Sequence, residues 1–474
     1  MFLVHLFICS SVQLSSYLPV PKSIAMNKSK LVQWSIVVAL AGFIFGFDTV
    51  VISGANQPIK ELWQTTPLFH GFFIMSMALW GTVLGAIFGG IPTEVFGRKT
   101  VLLWVGILFA VSAVGSALAT GPYIFSFFRF IGGVGIGVSS VVAPIYISEI
   151  STPVTRGRLG ALYQFNIVFG ILVAFLSNYF LQGVGGENDW RWMLGVLAFP
   201  ATIYTLLVFG VSESPRWLIT KKNDLAKAKA IMLQIGVTDA EAETAAIIQS
   251  NQHENASGKP LAFFNPKHKK IIYLAFMVAF FNQLSGINFI LYYAPEILEK
   301  AGLAAKESLF NSIAIGGVNL IFTFVGLYLI DRLGRKTLLV IGSWGYILSL
   351  SMVSWAFYSH AGPVFLMSFL LLFIAAHAIG QGAVIWVFIS EIFPNKIRSA
   401  GQSFGSSIHW VFAALITLVT PVFLDKDNGI FKENPWPIFA FFAGMMALQL
   451  VWVFTSVPET KGVSLEELEK TLSS

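Results

Sequence analysis

The sequence has one cysteine in 474 residues, Cys9, which excludes a disulfide framework and any cysteine-based metal cluster. It carries seven histidines but no HExxH motif or spaced histidine pair, so no metal site is expected. Charge is scarce as well: 11% of residues are charged against 55% hydrophobic, and the mean hydropathy is +0.74. Most of such a chain cannot be the core of a soluble protein. No nucleophile stands with its base, so an enzyme is not expected. No strand leads into Gly132-Gly133-Val134-Gly135-Ile136-Gly137, so this is not a dinucleotide-binding loop, and no cofactor is expected. Those glycines, with Gly81, Gly85 and Gly89 at every fourth position, read instead as surfaces for close helix packing in lipid.

What the chain does have is apolar runs of about 20 residues, each long enough to cross a bilayer. Six are read near 32–55, 69–91, 100–119, 122–146, 158–181 and 190–211, and six more near 271–297, 308–330, 337–358, 364–390, 399–424 and 436–457. They are numbered spans 1 to 12, and the fold class expected is an all-α membrane protein. Twelve spans place both termini on one side. With the connections split accordingly, 23 of the 30 Lys and Arg residues fall on that side and six on the other, so the positive-inside rule predicts cytoplasmic termini. The sequence pI near 9.2 is thereby explained by topology, and no nucleic-acid partner is expected.

The two sets of six spans repeat each other at a distance of about 240 residues, the mark of a duplicated bundle whose halves face each other. Phe96-Gly97-Arg98-Lys99-Thr100 returns as Leu333-Gly334-Arg335-Lys336-Thr337. Ser148-Glu149-Ile150 with Arg156 returns as Ser390-Glu391-Ile392 with Arg398, and Glu213 returns as Glu459. The domain boundaries expected are an extension over 1–31, a first bundle over 32–211, a linker over 212–270, a second bundle over 271–457 and a tail over 458–474. Translation is expected to start at Met26, or the leader from Met1 to Val20 to be a loose extension, since it makes a poor signal peptide and a poor span. In the linker, Leu225 to Gly236 and Ala240 to Gln249 read as short surface helices, with a flexible break from Asn251 to Lys259. Whether it only tethers the halves or braces one conformation is open.

Seven motifs stand in order: Gly46-Phe47-Asp48-Thr49 with Ile52-Ser53-Gly54; Gly97-Arg98-Lys99; Arg156-Gly157-Arg158; Glu213-Ser214-Pro215-Arg216-Trp217-Leu218; Gln283-Leu284-Ser285-Gly286-Ile287-Asn288; Asp331-Arg332-Leu333-Gly334-Arg335-Lys336; and Pro458-Glu459-Thr460-Lys461-Gly462. From about Val32 to Gly462 the chain resembles the major facilitator superfamily, sugar porter family. The resemblance implies two pseudo-symmetric six-helix halves and a secondary transporter that imports a hexose or pentose by alternating access. It places a sugar site at Gln164 of span 5, Asn282, Gln283, Asn288 and Tyr292 of span 7, Asn319 of span 8, Trp386 of span 10, and His409 and Trp410 of span 11. The chemistry suits a sugar, because hydroxyls need paired donors and acceptors, which amides supply without a charge to desolvate, and C–H faces pack on aromatic rings.

The resemblance also implies proton coupling through Asp48 and Arg129, charges inside spans 1 and 4 that need a partner or a function. It reads Arg98, Glu149, Arg156, Glu213, Arg335, Glu391, Arg398 and Glu459 as gate charges at the cytoplasmic helix ends, expected to bridge the halves when that side is shut. The chain departs from the pattern at Asn282 and His409, where relatives often carry Gln or Asn, at Ile171, and in Glu94-Val95-Phe96-Gly97-Arg98, which lacks an Asp-Arg pair and suggests a lopsided charge network. Plainer readings stay open for each group: amides that tie helices together, tryptophans anchored at the lipid interface, a fixed Asp48–Arg129 bridge, and solvated surface charges. The expected protein is a monosaccharide:proton symporter of the cell inner membrane, with the proton as coupling ion, the lipid bilayer and a monosaccharide as its partners, and a single chain as the working unit. A facilitative sugar uniporter is the alternative, and a transport-inactive sugar sensor, expected to carry a long signalling tail, is the rival from another class.

Overall fold

A computed structural model of the chain describes residues 22–256, 263–394, 397–463 and 468. Cys9, the leader to Val20 and much of the tail after Gly462 lie outside the described residues. Among those described, all regular structure is helical. Eleven helices are long and apolar enough to cross a membrane, and Pro67–Met75 with Met77–Phe88, bent by 43°, makes a twelfth.

Span 1 is a helix over Lys22–Trp63, longer at both ends than the run near 32–55, and it contains Pro58. Part of the expected extension over 1–31 is therefore helical, Met26 included. Hydropathy marks the part of a helix that lipid covers, whereas the polar ends continue because Lys, Ala and Gln propagate a helix already nucleated. The linker shows the same effect. Its second helix runs over Ala240–Ala256, through most of the break expected from Asn251 to Lys259. Residues 257–259 lie outside the described residues.

Three spans are broken where the site lies. Span 2 has a π-helical turn over His70–Met75 before Ser76. Span 7 runs as Lys269–Leu284, Ile287–Tyr292 and Ala294–Lys300. Its first break turns on Gly286, whose φ of 86° suits glycine and where a Cβ would lie 2.7 Å from the Phe442 ring. Span 10 breaks at Gly380 between Pro363–Ile379 and Gln381–Ile392.

The glycine runs pack helices, as the sequence suggested. A Cβ on Gly133 would lie 1.9 Å from the Ala78 carbonyl oxygen, and one on Gly81 2.2 Å from that of Phe130, so spans 2 and 4 touch backbone to backbone. The two halves meet along spans 1 and 7, 2 and 11, and 5 and 8. The linker lies at one end of the bundle, here called the linker face; the opposite end is the far face.

Candidate functional site

At the centre, Arg129 Nη1 contacts Asp48 Oδ1, and its Nη2 donates to the Asp48 backbone carbonyl at 3.2 Å. Both residues are buried. Pairing follows from location, since a lone charge at the bilayer centre costs at least about 2.5–3.5 kcal/mol. The pair is nonetheless incomplete. Asp48 Oδ2 and Arg129 Nε are buried without a hydrogen-bond partner, as is Ser112 Oγ nearby. A Cβ on Gly132 would lie 2.3 Å from Ser112 Oγ and 3.6 Å from Asp48 Oδ2, so span 4 packs closely beside the second, unpaired carboxylate oxygen.

The amide set gathers around the break in span 7. Gln283 Nε2 donates to Asn282 Oδ1 at 3.0 Å and stands 3.1 and 3.2 Å from the two ring nitrogens of His409. Asn288 Nδ2 donates to Gln283 Oε1 at 2.9 Å. The turn at Gly286 makes this possible, folding residues five apart onto one amide. The His409 ring packs 5.0 Å from Trp386 and 4.7 Å from Trp410, and Trp410 lies 5.6 Å from Phe45 of span 1. Trp386 keeps 37% of its surface exposed, and Trp410 Nε1 is buried without a partner. The structure thus brings six of the expected residues into one polar and aromatic cluster: Asn282, Gln283, Asn288, Trp386, His409 and Trp410.

The others are placed less directly. Tyr292 and Asn319 are buried and Gln164 is half-buried, and among the described residues no hydrogen bond joins Gln164 or Asn319 to that cluster. Their helices do touch: Gly316, one turn before Asn319, packs on Leu172 of span 5, and Phe165 lies 5.4 Å from Phe324. Ile171 is a buried apolar contact. Sequence reasoning missed the support behind span 10, where Gln381 Nε2 donates to Gln449 Oε1 at 2.8 Å and Gln449 Nε2 to Ser343 Oγ at 2.7 Å. This chain ties the segment carrying Trp386 to spans 9 and 12.

At the linker face, the repeated charges form two copies of one device. Arg98 Nε and Nη2 donate to Glu149 at 3.0 and 2.9 Å, and Arg335 Nε and Nη2 donate to Glu391 at 3.0 and 2.7 Å. Glu213 accepts from the backbone N–H groups of Arg98 and Lys99 at 2.9 and 3.1 Å, as Glu459 does from those of Arg335 and Lys336 at 2.9 and 3.0 Å. A carboxylate here caps a helix N-terminus, which favours negative charge. Burial pushes the Glu213 carboxyl above its ordinary value against these bonds. These contacts run within each half, not between halves, and Arg156 is exposed while Arg398 Nε donates to the Phe393 carbonyl. The network is also not lopsided. Glu94 stands where Asp331 does, and each acid reaches its arginine from four residues away, at 2.9 Å for Arg98 and 3.6 Å for Arg335.

The far face holds what the sequence did not suggest. Asn56 Nδ2 donates to Glu296 Oε2 at 2.9 Å, Lys60 pairs with Asp425, and Lys426 Nζ lies 2.5 Å from Glu61 Oε1. Each of these contacts joins one half to the other. No signal announced them, since they are not repeated, and Glu296 sits inside an apolar run.

The fold and this site define a twelve-span helical transporter with a buried polar and aromatic cluster where two related halves meet. Over residues 34–472 the sequence matches the family described as Sugar (and other) transporter, and the chain belongs to that family. It is 33% identical to the arabinose-proton symporter of Bacillus subtilis over 464 residues, 97% of this chain and 98% of that protein. It is 32% identical to the D-xylose-proton symporter of Escherichia coli over 478 residues, covering 94% and 96%. The E. coli xylose transporter in a partially occluded inward open conformation superposes with a TM-score of 0.81 at 30% identity, covering 92% of this chain and all of that one. The chain is therefore a major facilitator superfamily transporter and not an enzyme.

Proposed function

We propose that the protein is a monosaccharide:proton symporter of the cell inner membrane, importing a hexose or a pentose, with Asp48 as proton carrier and Arg129 as its counter-charge. The observation that carries this reading is the buried, unpaired Oδ2 of Asp48 beside a paired Oδ1. A proton added to Oδ2 neutralises the carboxylate without first breaking the contact to Arg129. The neutral acid then grips the guanidinium less strongly, so protonation and the packing of spans 1 and 4 are linked. The names of the relatives, symporters for arabinose and xylose, agree with such coupling.

The sugar is assigned to the amide and aromatic cluster at the break of span 7, with Gln164, Tyr292 and Asn319 completing its walls. Gln164 of the first half and the cluster of the second belong to one chain, so a single copy supplies the whole site. Placing the basic linker face in the cytoplasm follows the positive-inside rule and puts both termini there. Each proton that crosses a potential of 100 mV supplies about 2.3 kcal/mol for uphill sugar movement.

Sugar uptake into proteoliposomes, with and without an imposed pH gradient, tests the proposal. Asp48→Asn, which mimics the permanently neutral acid, should abolish accumulation driven by the gradient while sugar binding persists. If wild-type uptake ignores the gradient and no protons move with sugar, a uniporter takes the place of the symporter.

A further inference from the structure

We infer that Asn56 and Lys60 of span 1, held against Glu296 and Asp425 of the second half, form a latch that keeps the far face shut, and that releasing it is the step that opens that face. This rests on the alternating-access reading above. It concerns residues outside the sugar cluster and the Asp48–Arg129 pair.

Asn56 and Lys60 are four residues apart on one helix, so both point to the same side. They meet two separate elements of the second half: Glu296 in Ala294–Lys300, and Asp425 just after span 11. One helical face is therefore pinned at two points. Both pins are pre-set by their own half. Thr65 Oγ1 lies 2.8 Å from His70 Nδ1, and His70 Nε2 lies 2.7 Å from Asn56 Oδ1. With the Asn56 oxygen taken by the ring N–H, its Nδ2 is left to donate to Glu296. Asp425 Oδ1 accepts from the backbone N–H groups of Asp427 and Asn428 at 3.0 and 2.7 Å, which leaves Oδ2 for Lys60. Asn56, His70, Glu296 and Asp425 are all at least nine-tenths buried. The neighbouring Glu61–Lys426 pair is more than half exposed on both sides and adds little.

The contrast between the faces carries the inference. At the linker face Arg98–Glu149–Glu213 and Arg335–Glu391–Glu459 each close within one half and survive any rigid movement of the halves. At the far face the bonds cross, so a cavity cannot open there without breaking them. Asn56, Glu61, Glu296 and Lys426 also line a cavity of about 240 Å³ between the halves, the space that such an opening would enlarge.

The test uses the full chain in nanodiscs, with Cys9→Ser and spin labels at Glu187→Cys and Glu307→Cys, exposed positions at the far ends of the two halves. Distances are measured with and without a saturating panel of pentoses and hexoses. Lys60→Ala and Asp425→Ala should each raise the far-open population about tenfold, as expected when one partner of a buried contact is removed. The exchange variant Lys60→Asp with Asp425→Lys should return it toward wild type. Asn56→Leu should open the face as well, whereas Glu296→Gln, which keeps an acceptor, should not. Wild-type distances from the single variants, or an exchange variant as open as they are, overturn the latch. Should one single variant not fold, Asn56→Leu against Glu296→Gln decides the same question. Failure of the transport reading looks different: wild type itself then shows one unchanging distance and no uptake.

Discussion

Gln283 is the residue on which the amide cluster turns, since it donates to Asn282, accepts from Asn288 and faces His409. These amides satisfy one another in the burial of the site, and a sugar hydroxyl can take over any of the bonds at small cost. Removing the Gln283 or Asn288 amide should weaken sugar binding at least about tenfold, because a lost partner costs about 1–3 kcal/mol. Equilibrium binding to purified Gln283→Ala and Asn288→Ala checks this, and unchanged affinity in both would remove span 7 from the site. His409→Gln replaces the imidazole with the amide that relatives often carry. It should keep the contact to Gln283 yet loosen packing on Trp386, altering the preference among sugars more than the overall affinity. Competition between sugars for binding measures that preference. Gln283, Asn288 and Trp386 were singled out because the family resemblance places a sugar there, and the structure brings them into one cluster. Asn56 and Glu296 were not, because a polar residue near a helix end has many uses and only its partner across the halves reveals which applies.

The elements are tuned by their ends. At Gly97 and Gly334 the backbone turns with φ of 92° and 89° into a new helix, and a Cβ there would fall 2.4 Å from Glu213 Oε2 and 2.5 Å from Glu459 Oε2. Alanine at either position meets both backbone strain, about 1–3 kcal/mol, and collision with the carboxylate that caps the next helix. Gly97→Ala and Gly334→Ala should therefore lower the midpoint of thermal unfolding, and to a similar degree. Gly444→Ala, at a helical site where a Cβ meets nothing within 4 Å, should leave it unchanged or slightly raised. Equal stability of all three variants would mean that the caps are incidental. The repeat itself was visible in the sequence because the same charges recur in register. The breaks in spans 7 and 10 were not, since Gly286 and Gly380 sit in apolar runs that read as continuous, and only packing against Phe442 and Gly342 shows why the helices stop.

At the scale of the molecule, two acids, one in span 1 and one just after span 11, are given different tasks. Asp48 stands at the centre with an unpaired oxygen, while Asp425 stands at the far face with both oxygens paired. Burial raises the Asp425 carboxyl, but the Lys60 ammonium and the N–H groups of Asn428 and Asp427 outweigh it and hold it below the ordinary aspartate range. The sign follows from linkage: a lowered value contributes stability that is complete above the unfolded-state value and is lost only as pH falls through the folded one. The Asp425 carboxylate should thus stay ionised across the range in which a transporter works. Lys426 and Asp427 flank Asp425 on its own loop, Lys60 faces it from span 1, and Glu296 and Lys300 face it from the end of span 7. Of these, Glu296 is the acid to neutralise when the latch is studied alone. In a chain carrying Asp48→Asn and Glu296→Gln, the distance between labels at Glu187 and Glu307 should not change between about pH 5 and pH 8, whereas wild type should shift with pH. A pH-dependent distance in the double variant would show that the latch itself senses protons, and coupling would then have to be divided between the centre of the molecule and its far face.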